Sequence, residues 1–303
     1  MKYIIFFFVA LFAIGNLFSQ VALDSGLVAK YLFSGNANDG SPFNNNGVVY
    51  GAVLTSDRSG NLNSAYSFDG TTSFIKVPNS TSLNIQNSIS LCAWIKTIDP
   101  DIYTDGNGAF IVSKAYTNNS RSYSMVANDG SLGDSIIFQL FNTGNTQFRT
   151  TKNSTYYNDK WHFLVSTYDY ITGISKIYVD SVLVTTKNIG NVDLRQTTVP
   201  LSIGCFWDNS TGTLQRGFYS GIIDDVRIYN RAINQEEVIE LFLESITEVE
   251  VDKTDEIVLF PNPNNGNFEI SFAEMLPENP IVEIQDISGK QLQYNLNYFF
   301  NYD

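Results

Sequence analysis

From Val21 to about Gly221 the chain is a succession of short apolar runs, each ended by Gly, Asn, Asp or Ser, with no helical period between them. "LVAKYLF", "SFIKVP", "SISLCAWIK", "AFIVSKAY", "YSMVAN", "SIIFQLF", "WHFLVSTY", "SKIYVDSVLV" and "VPLSIGCFW" are the clearest. A parallel sheet needs crossover helices, and none is present. The pattern therefore describes an all-β fold of two antiparallel sheets, a sandwich or jelly roll.

Within it, "WHFLVSTYDYITGISKIYVDSVLV" reads as a hairpin. Trp161, Phe163, Val165 and Thr167 alternate with His162, Leu164, Ser166 and Tyr168, and Gly173 marks the turn. One helix closes the sandwich: Asn234 is a good N-cap, Glu237 stands three residues on as in a capping box, and Val238, Leu241 and Phe242 form an apolar stripe. Just before it, "SGIIDDVRIY" places two carboxylates inside a strand. A strict period of two sets Asp224 with Val226 and Ile228 on the apolar face and sends Asp225 to solvent or a surface partner. A carboxylate on that face needs a cationic side chain, backbone N–H donors or a metal.

The chain's 303 residues are 43% hydrophobic and 16% charged, enough apolar material for a large globular core. A net charge of −13 excludes nucleic acid and anionic membrane surfaces as partners, since both call for basic patches. Residues 1–20, "MKYIIFFFVALFAIGNLFSQ", combine an early lysine, a short apolar run and a polar end, the pattern of a secretory signal peptide. No other apolar run approaches the length of a bilayer span, so the mature chain is expected to carry no membrane span and to be secreted or displayed at the cell surface. In that oxidising setting the two cysteines, Cys92 and Cys205, could form one disulfide.

Residues 21–245 make the sandwich and its helix. The acidic stretch 246–255 reads as a linker, and 256–303 reads as a small, incomplete β module opened by "IVLFPNPNNGNFEISF" and "IVEIQDISGKQL".

"LVAKYLFSGNANDGSPFNNNGVVYGA", "SAYSFDGTTSFIKVPNSTSLN", "ISLCAWIKT", "WHFLVSTYD", "KIYVDSVLV" and "GIIDDVRIYNRAINQEEVIELF" occur in that order and resemble the laminin-G-like jelly roll of the concanavalin A-like lectin/glucanase superfamily, over residues 25–244. The family's common Asp-Gly turn is here Asp180-Ser181. The tail resembles the first half of the C-terminal sorting domain recognised by the type IX secretion machinery; the later strands usual in that domain are missing.

Catalysis finds little support. The single histidine, His162, lies in mid-strand and reads as a hydrogen-bonded structural residue, and neither cysteine has a base nearby. Glycoside hydrolysis needs paired carboxylates facing a cleft. Glu248, Glu250 and Asp252 fall in the linker, and Asp99 and Asp101 flank a proline turn. Sugar binding asks for aromatic faces and amide or carboxylate side chains, and Tyr116, Trp207, Asp208 and Asn209 could line one rim. The expectation is a non-catalytic module that binds glycans at the cell surface or in the matrix. A superfamily glycoside hydrolase and a structural adhesin that binds protein are the alternatives. In the resembled family the first and last strands lie close, and Asp39 and Asp224 match two of its aspartates. The resemblance, with the oxygen-rich turns around Asp39, implies a structural calcium held by Asp39 and Asp224.

Overall fold

A computed structural model describes residues 23–97, 108–116, 120–127, 135–153, 158–209, 213, 215–244, 257–260 and 269–272; the signal peptide, the linker and the Asp99–Asp101 turn lie outside them. Strand segments and turn residues alternate as the sequence demands, and they assemble into an eight-stranded and a nine-stranded sheet. Across the first sheet run β13 (Val182–Asn188), β12 (Ile174–Val179), β11 (Trp161–Asp169), β6 (Ile89–Thr97), β17 (Ser220–Tyr229), β4 (Ala65–Asp69) and β3 (Val53–Thr55), with β1 (Leu27–Tyr31) also paired to β17. The second sheet runs β10 (Gln147–Asn153), β9 (Ser135–Phe141), β8 (Ser120–Ala127), β7 (Ala109–Tyr116), β14 (Leu201–Ile203), β5 (Phe74–Val77) and β2 (Val48–Tyr50), with β15 (Phe206–Trp207) and β16 (Gln215–Arg216) at its side. Among the described residues every strand pairing is antiparallel except the single contact of β15 with β7, and the isolated bridge Gly51–Phe74 is parallel as well.

Inward residues of both sheets, among them Leu91, Met125, Phe138, Leu164 and Ile203, form one continuous core. Each such fully buried side chain adds about 1.5–3 kcal/mol of transfer free energy.

The expected hairpin is β11–β12, paired from Leu164 with Val179 to Asp169 with Ile174. Gly173 turns it at φ +68°, and a Cβ there would lie 2.8 Å from the backbone of Gly190. The next turn, Asp180-Ser181, has both residues at positive φ, +49° and +64°, as a two-residue hairpin requires. Serine therefore holds a backbone conformation suited to glycine.

α1 (Gln235–Glu244) starts with the anticipated reciprocal cap. Glu237 N donates to Asn234 Oδ1 at 2.9 Å, and Asn234 N donates to Glu237 Oε2 at 2.8 Å. Val238, Leu241 and Phe242 bury against Cys92, Trp94 and Phe163, on the side of the first sheet away from the core.

β17 departs from strict alternation. It pairs with β6 through Ile223–Ile95 and Asp224–Trp94, then resumes at Arg227–Cys92, so one extra residue is inserted on β17. Asp225 carries the bulge at φ +42°. The insertion reverses the parity of the strand: Ile223, Val226 and Ile228 all face the core. Asp224 thus shares the outer face of the first sheet with its cross-strand neighbour Trp94, not the core face that a period of two assigns it. Asp225, expected at the surface, is 4% exposed.

The expected disulfide is also corrected, because both cysteines are free and buried. Cys92 belongs to the cluster beneath α1, and Cys205 to another with Phe74, Val199 and Trp207 on the second sheet. Burial pushes both thiols up from their ordinary pKa.

The chain divides into two units, Met1–Glu248 and Val249–Asp303. In the second, β18 (Ile257–Phe260) and β19 (Glu269–Phe272) pair antiparallel.

Candidate functional site

Polar side chains gather in two places on the sandwich. The first is the β17 bulge. Asp224, 2% exposed, is ion-paired with Arg58 of the loop between β3 and β4, and accepts a hydrogen bond from Asp225 N at 2.7 Å. The Arg58 guanidinium lies 4.9 Å from the centre of the Trp94 ring and 3.7 Å from Asp225 Oδ2. Asp225 accepts both arms of Arg227, from Nε at 2.7 Å and Nη2 at 3.0 Å, and Arg227 Nη1 reaches Glu244, the last residue of α1, at 2.7 Å. Together with Lys30, Asp57, Asn61 and other loop residues, these side chains line a cavity of about 170 Å³. Burial raises the Asp224 carboxyl to about 7; Arg58 opposes that rise and Asp225 adds to it. Burial works against the charge of Arg227, yet Asp225 outweighs it and raises the guanidinium pKa.

Asp39 has its own partners. Its Oδ1 accepts Lys30 N at 2.9 Å and Ser41 N at 2.8 Å, and its Oδ2 accepts Asn45 N and Ser41 Oγ, both at 2.7 Å. β1 and β17 do pair, so the opening segment and the last strand are neighbours. The expected calcium set does not fit this placement, because Asp39 faces N–H and O–H donors while Asp224 faces a guanidinium. Among the described residues no group of three or more His, Cys, Asp or Glu side chains could hold a metal ion.

The predicted sugar-binding rim is largely spent on packing. Trp207 is 0% exposed, lies edge-on to Phe74, and donates from its indole nitrogen to Pro200 O at 2.7 Å; it is a core residue and offers no face to a ligand. Tyr116 is half-buried against the same cluster and pairs with Trp207. Asp208 is bonded by Arg216 Nε at 2.6 Å, and Asn209 donates to Thr213 Oγ1 at 2.7 Å. His162 is hydrogen-bonded through both ring nitrogens, with Nδ1 2.7 Å from Asp180 and Nε2 3.1 Å from Asn158.

The second polar region has no counterpart in the sequence reading. Three loops meet at an open cleft of about 520 Å³ lined by Gln86, Asn87, Thr143, Asp193, Leu194, Arg195 and Gln196. Backbone bonds pin the loops together: Leu194 N donates to Gln86 O at 2.7 Å and Arg195 N to Phe141 O at 2.9 Å. The side chains are left outward. Gln86, Asn87, Thr143, Asp193 and Gln196 are exposed and Arg195 is half-exposed. Gln196 makes one long bond, 3.4 Å, to Asn84 O. Tyr170 hydrogen-bonds with Asp193, whose charge raises the phenol's pKa. Residues 86, 143 and 195 are far apart in sequence, so no local motif could announce the site. Arg58, similarly, could not be matched to Asp224 across 166 positions.

A two-sheet antiparallel sandwich with one helix among the described residues defines a jelly-roll domain. Residues 69–239 match the model of the concanavalin A-like lectin/glucanases superfamily, and the chain belongs to that family. Residues 258–301 match the secretion system C-terminal sorting domain, which indicates a secreted or cell-surface protein sorted by type IX secretion. Among solved structures, the binding domain of Paraclostridial Mosquitocidal Protein 1 is similar with a TM-score of 0.58 and 17% identity, over 74% of this chain and 53% of that one. The Botulinum neurotoxin serotype G binding domain gives 0.57 and 18%, over 73% and 51%. The serotype D binding domain gives 0.55 and 18%, over 74% and 52%. At these identities the likeness is one of fold, and the chain spans about half the length of each of these structures. No curated protein matches the chain.

Proposed function

We propose that the chain is a secreted, non-catalytic recognition module that binds glycans at the cell surface or in the matrix through the cleft of Gln86, Asn87, Thr143, Asp193, Arg195 and Gln196. Residues 1–20 serve as its signal peptide. The observation that carries this reading is a set of exposed polar side chains that converge on an open cleft and, for the most part, have no protein partner. Sugar hydroxyls donate and accept hydrogen bonds, and amide, hydroxyl and carboxylate groups complement both roles. The similar solved structures are themselves binding domains, which supports a binding role. Asp193 is the single carboxylate among the described lining residues, whereas glycoside hydrolysis uses two. The carboxylates at the β17 bulge are each bonded to an arginine.

A glycan array probed with the full chain tests the reading. Saturable binding without product release is expected, and Asp193→Ala or Gln196→Ala should weaken it about tenfold, the worth of one good hydrogen bond to a charged or polar partner. Release of shortened glycan would favour a hydrolase. Silence on the array together with saturable binding to a matrix protein would favour an adhesin.

A further inference from the structure

We propose that the cleft selects glycans bearing an isolated sugar-acid carboxylate, a uronate set among neutral sugars, and that Arg195 is the residue that selects it. The inference rests on the glycan reading of the same cleft. Of the seven arginines in the chain, Arg58 pairs with Asp224, Arg216 with Asp208, Arg227 with Asp225 and Arg231 with Glu237. Arg121 donates to Tyr116 O and covers the Phe141 ring, and Arg149 is engaged as well. Arg195 alone makes no side-chain hydrogen bond, ion pair or ring contact among the described residues, and it lines the cleft.

In a chain with 31 acidic and 18 basic residues an unpaired guanidinium is uncommon, because opposite charge is plentiful. Its placement is fixed where its charge is not. Arg195 N is bonded to Phe141 O, and the adjoining Leu194 bridges Asn142 and donates to Gln86 O, so the base of the side chain is held against two other loops. The single acid of the lining, Asp193, is engaged by Tyr170 and forms no ion pair with Arg195. A planar guanidinium offers two parallel N–H groups that match the two oxygens of a carboxylate. The amides of Gln86, Asn87 and Gln196 remain for hydroxyls on the flanking sugars.

The ligand's charge density follows from the same facts. One cation can neutralise one carboxylate, and a net charge of −13 repels a densely sulfated or fully acidic chain. A sparsely charged glycan meets the attraction of Arg195 without that repulsion.

The test uses the full chain and matched oligosaccharides on xylan, galactan and glucan backbones, each with and without one uronate, beside polysulfated carrageenan. The uronate member should bind about tenfold more tightly than its neutral partner, the scale of one charge-assisted hydrogen-bond pair, and added salt should shrink the preference. Arg195→Gln should erase the preference, so that the uronate member and its neutral partner bind alike, and Arg195→Lys should restore only part of it. The thermal melt of both variants should match the parent. Equal binding of the two members, a preference that survives Arg195→Gln, or stronger binding of carrageenan would overturn the proposal; any of these accompanied by Gln196-dependent neutral binding leaves the glycan reading standing. Silence across the whole panel removes both.

Discussion

At the β17 bulge Arg58, Asp224, Asp225, Arg227 and Glu244 answer one another's charges beneath α1, whereas at the cleft Gln86, Asn87, Thr143 and Arg195 project toward solvent from loops that backbone bonds tie together. Both regions are polar and concave, yet they are built for different ends. Buried charges with mutual partners hold elements in register, and removing one member strands the other in a poor solvent. Exposed polar groups without partners contribute little to stability and remain free for a ligand. The contrast separates a structural site from a binding site more sharply than residue type does, because both hold Asp and Arg.

Breaking the bulge network should therefore produce the largest effect on the fold and none on recognition. Arg58→Ala leaves Asp224 without its cation and uncovers Trp94, and it should cost about 3 kcal/mol in urea unfolding, at the low end for a broken buried pair because Arg58 retains some solvent contact. Asp224→Asn in the same background should recover part of the loss. Glycan binding by the refolded variant should be unchanged. Cleft variants such as Gln196→Ala should behave the other way, moving stability by no more than about 0.5 kcal/mol. An Arg58→Ala protein with the stability of its parent would dissolve the distinction.

A pH-dependent effect of similar size follows from the Asp224 carboxyl, which burial raises from 3.8 to about 7 despite Arg58. Between those values the folded protein keeps a proton that the unfolded chain has released, so folding takes up a proton there. The stability that this shift contributes is complete below pH 3.8 and is lost as pH rises through about 7. The stability of the parent relative to Asp224→Asn should accordingly fall by a few kcal/mol over that window and stay level above it. Urea titrations at four or five pH values would measure it. A difference that is flat with pH, or that grows as pH rises, would mean that the guanidinium holds Asp224 ionised throughout.

Much of the fold is legible in the residues themselves. The β11–β12 hairpin and the cap of α1 depend on neighbours within a few positions, and both stand where alternation, Gly173, Asn234 and Glu237 put them. The face of Asp224 was not legible, because alternation carries no mark of an inserted residue and nothing near Asp225 signals a left-handed backbone. Trp207 was misplaced for a related reason. An aromatic residue beside Asp and Asn suits a sugar-binding rim and a capped strand end equally, and the cross-strand contact with Phe74 decides between them. The cleft was the least accessible, since Gln86, Thr143 and Arg195 are brought together only by loop-to-loop backbone bonds.

The smallest expected effect concerns calcium. Were a cation shared by Asp39 and Asp224, both carboxylates would need oxygen ligands around them, and binding to the folded state would raise the melting temperature by mass action. Instead Asp39 accepts four hydrogen bonds and Asp224 meets Arg58, so each negative charge is already answered. A cation approaching Asp224 would have to displace the guanidinium and pass close to Lys30 and Arg227, which line the same cavity. Chelator should thus move the melt of the full chain by less than about 1 °C. Asp39→Ala should lower the melt through its lost hydrogen bonds by the same amount with and without chelator. A drop of several degrees on chelation, abolished equally by Asp39→Ala and Asp224→Ala, would instead show that the bulge network opens to hold calcium, and the charges beneath α1 would then no longer be a closed set.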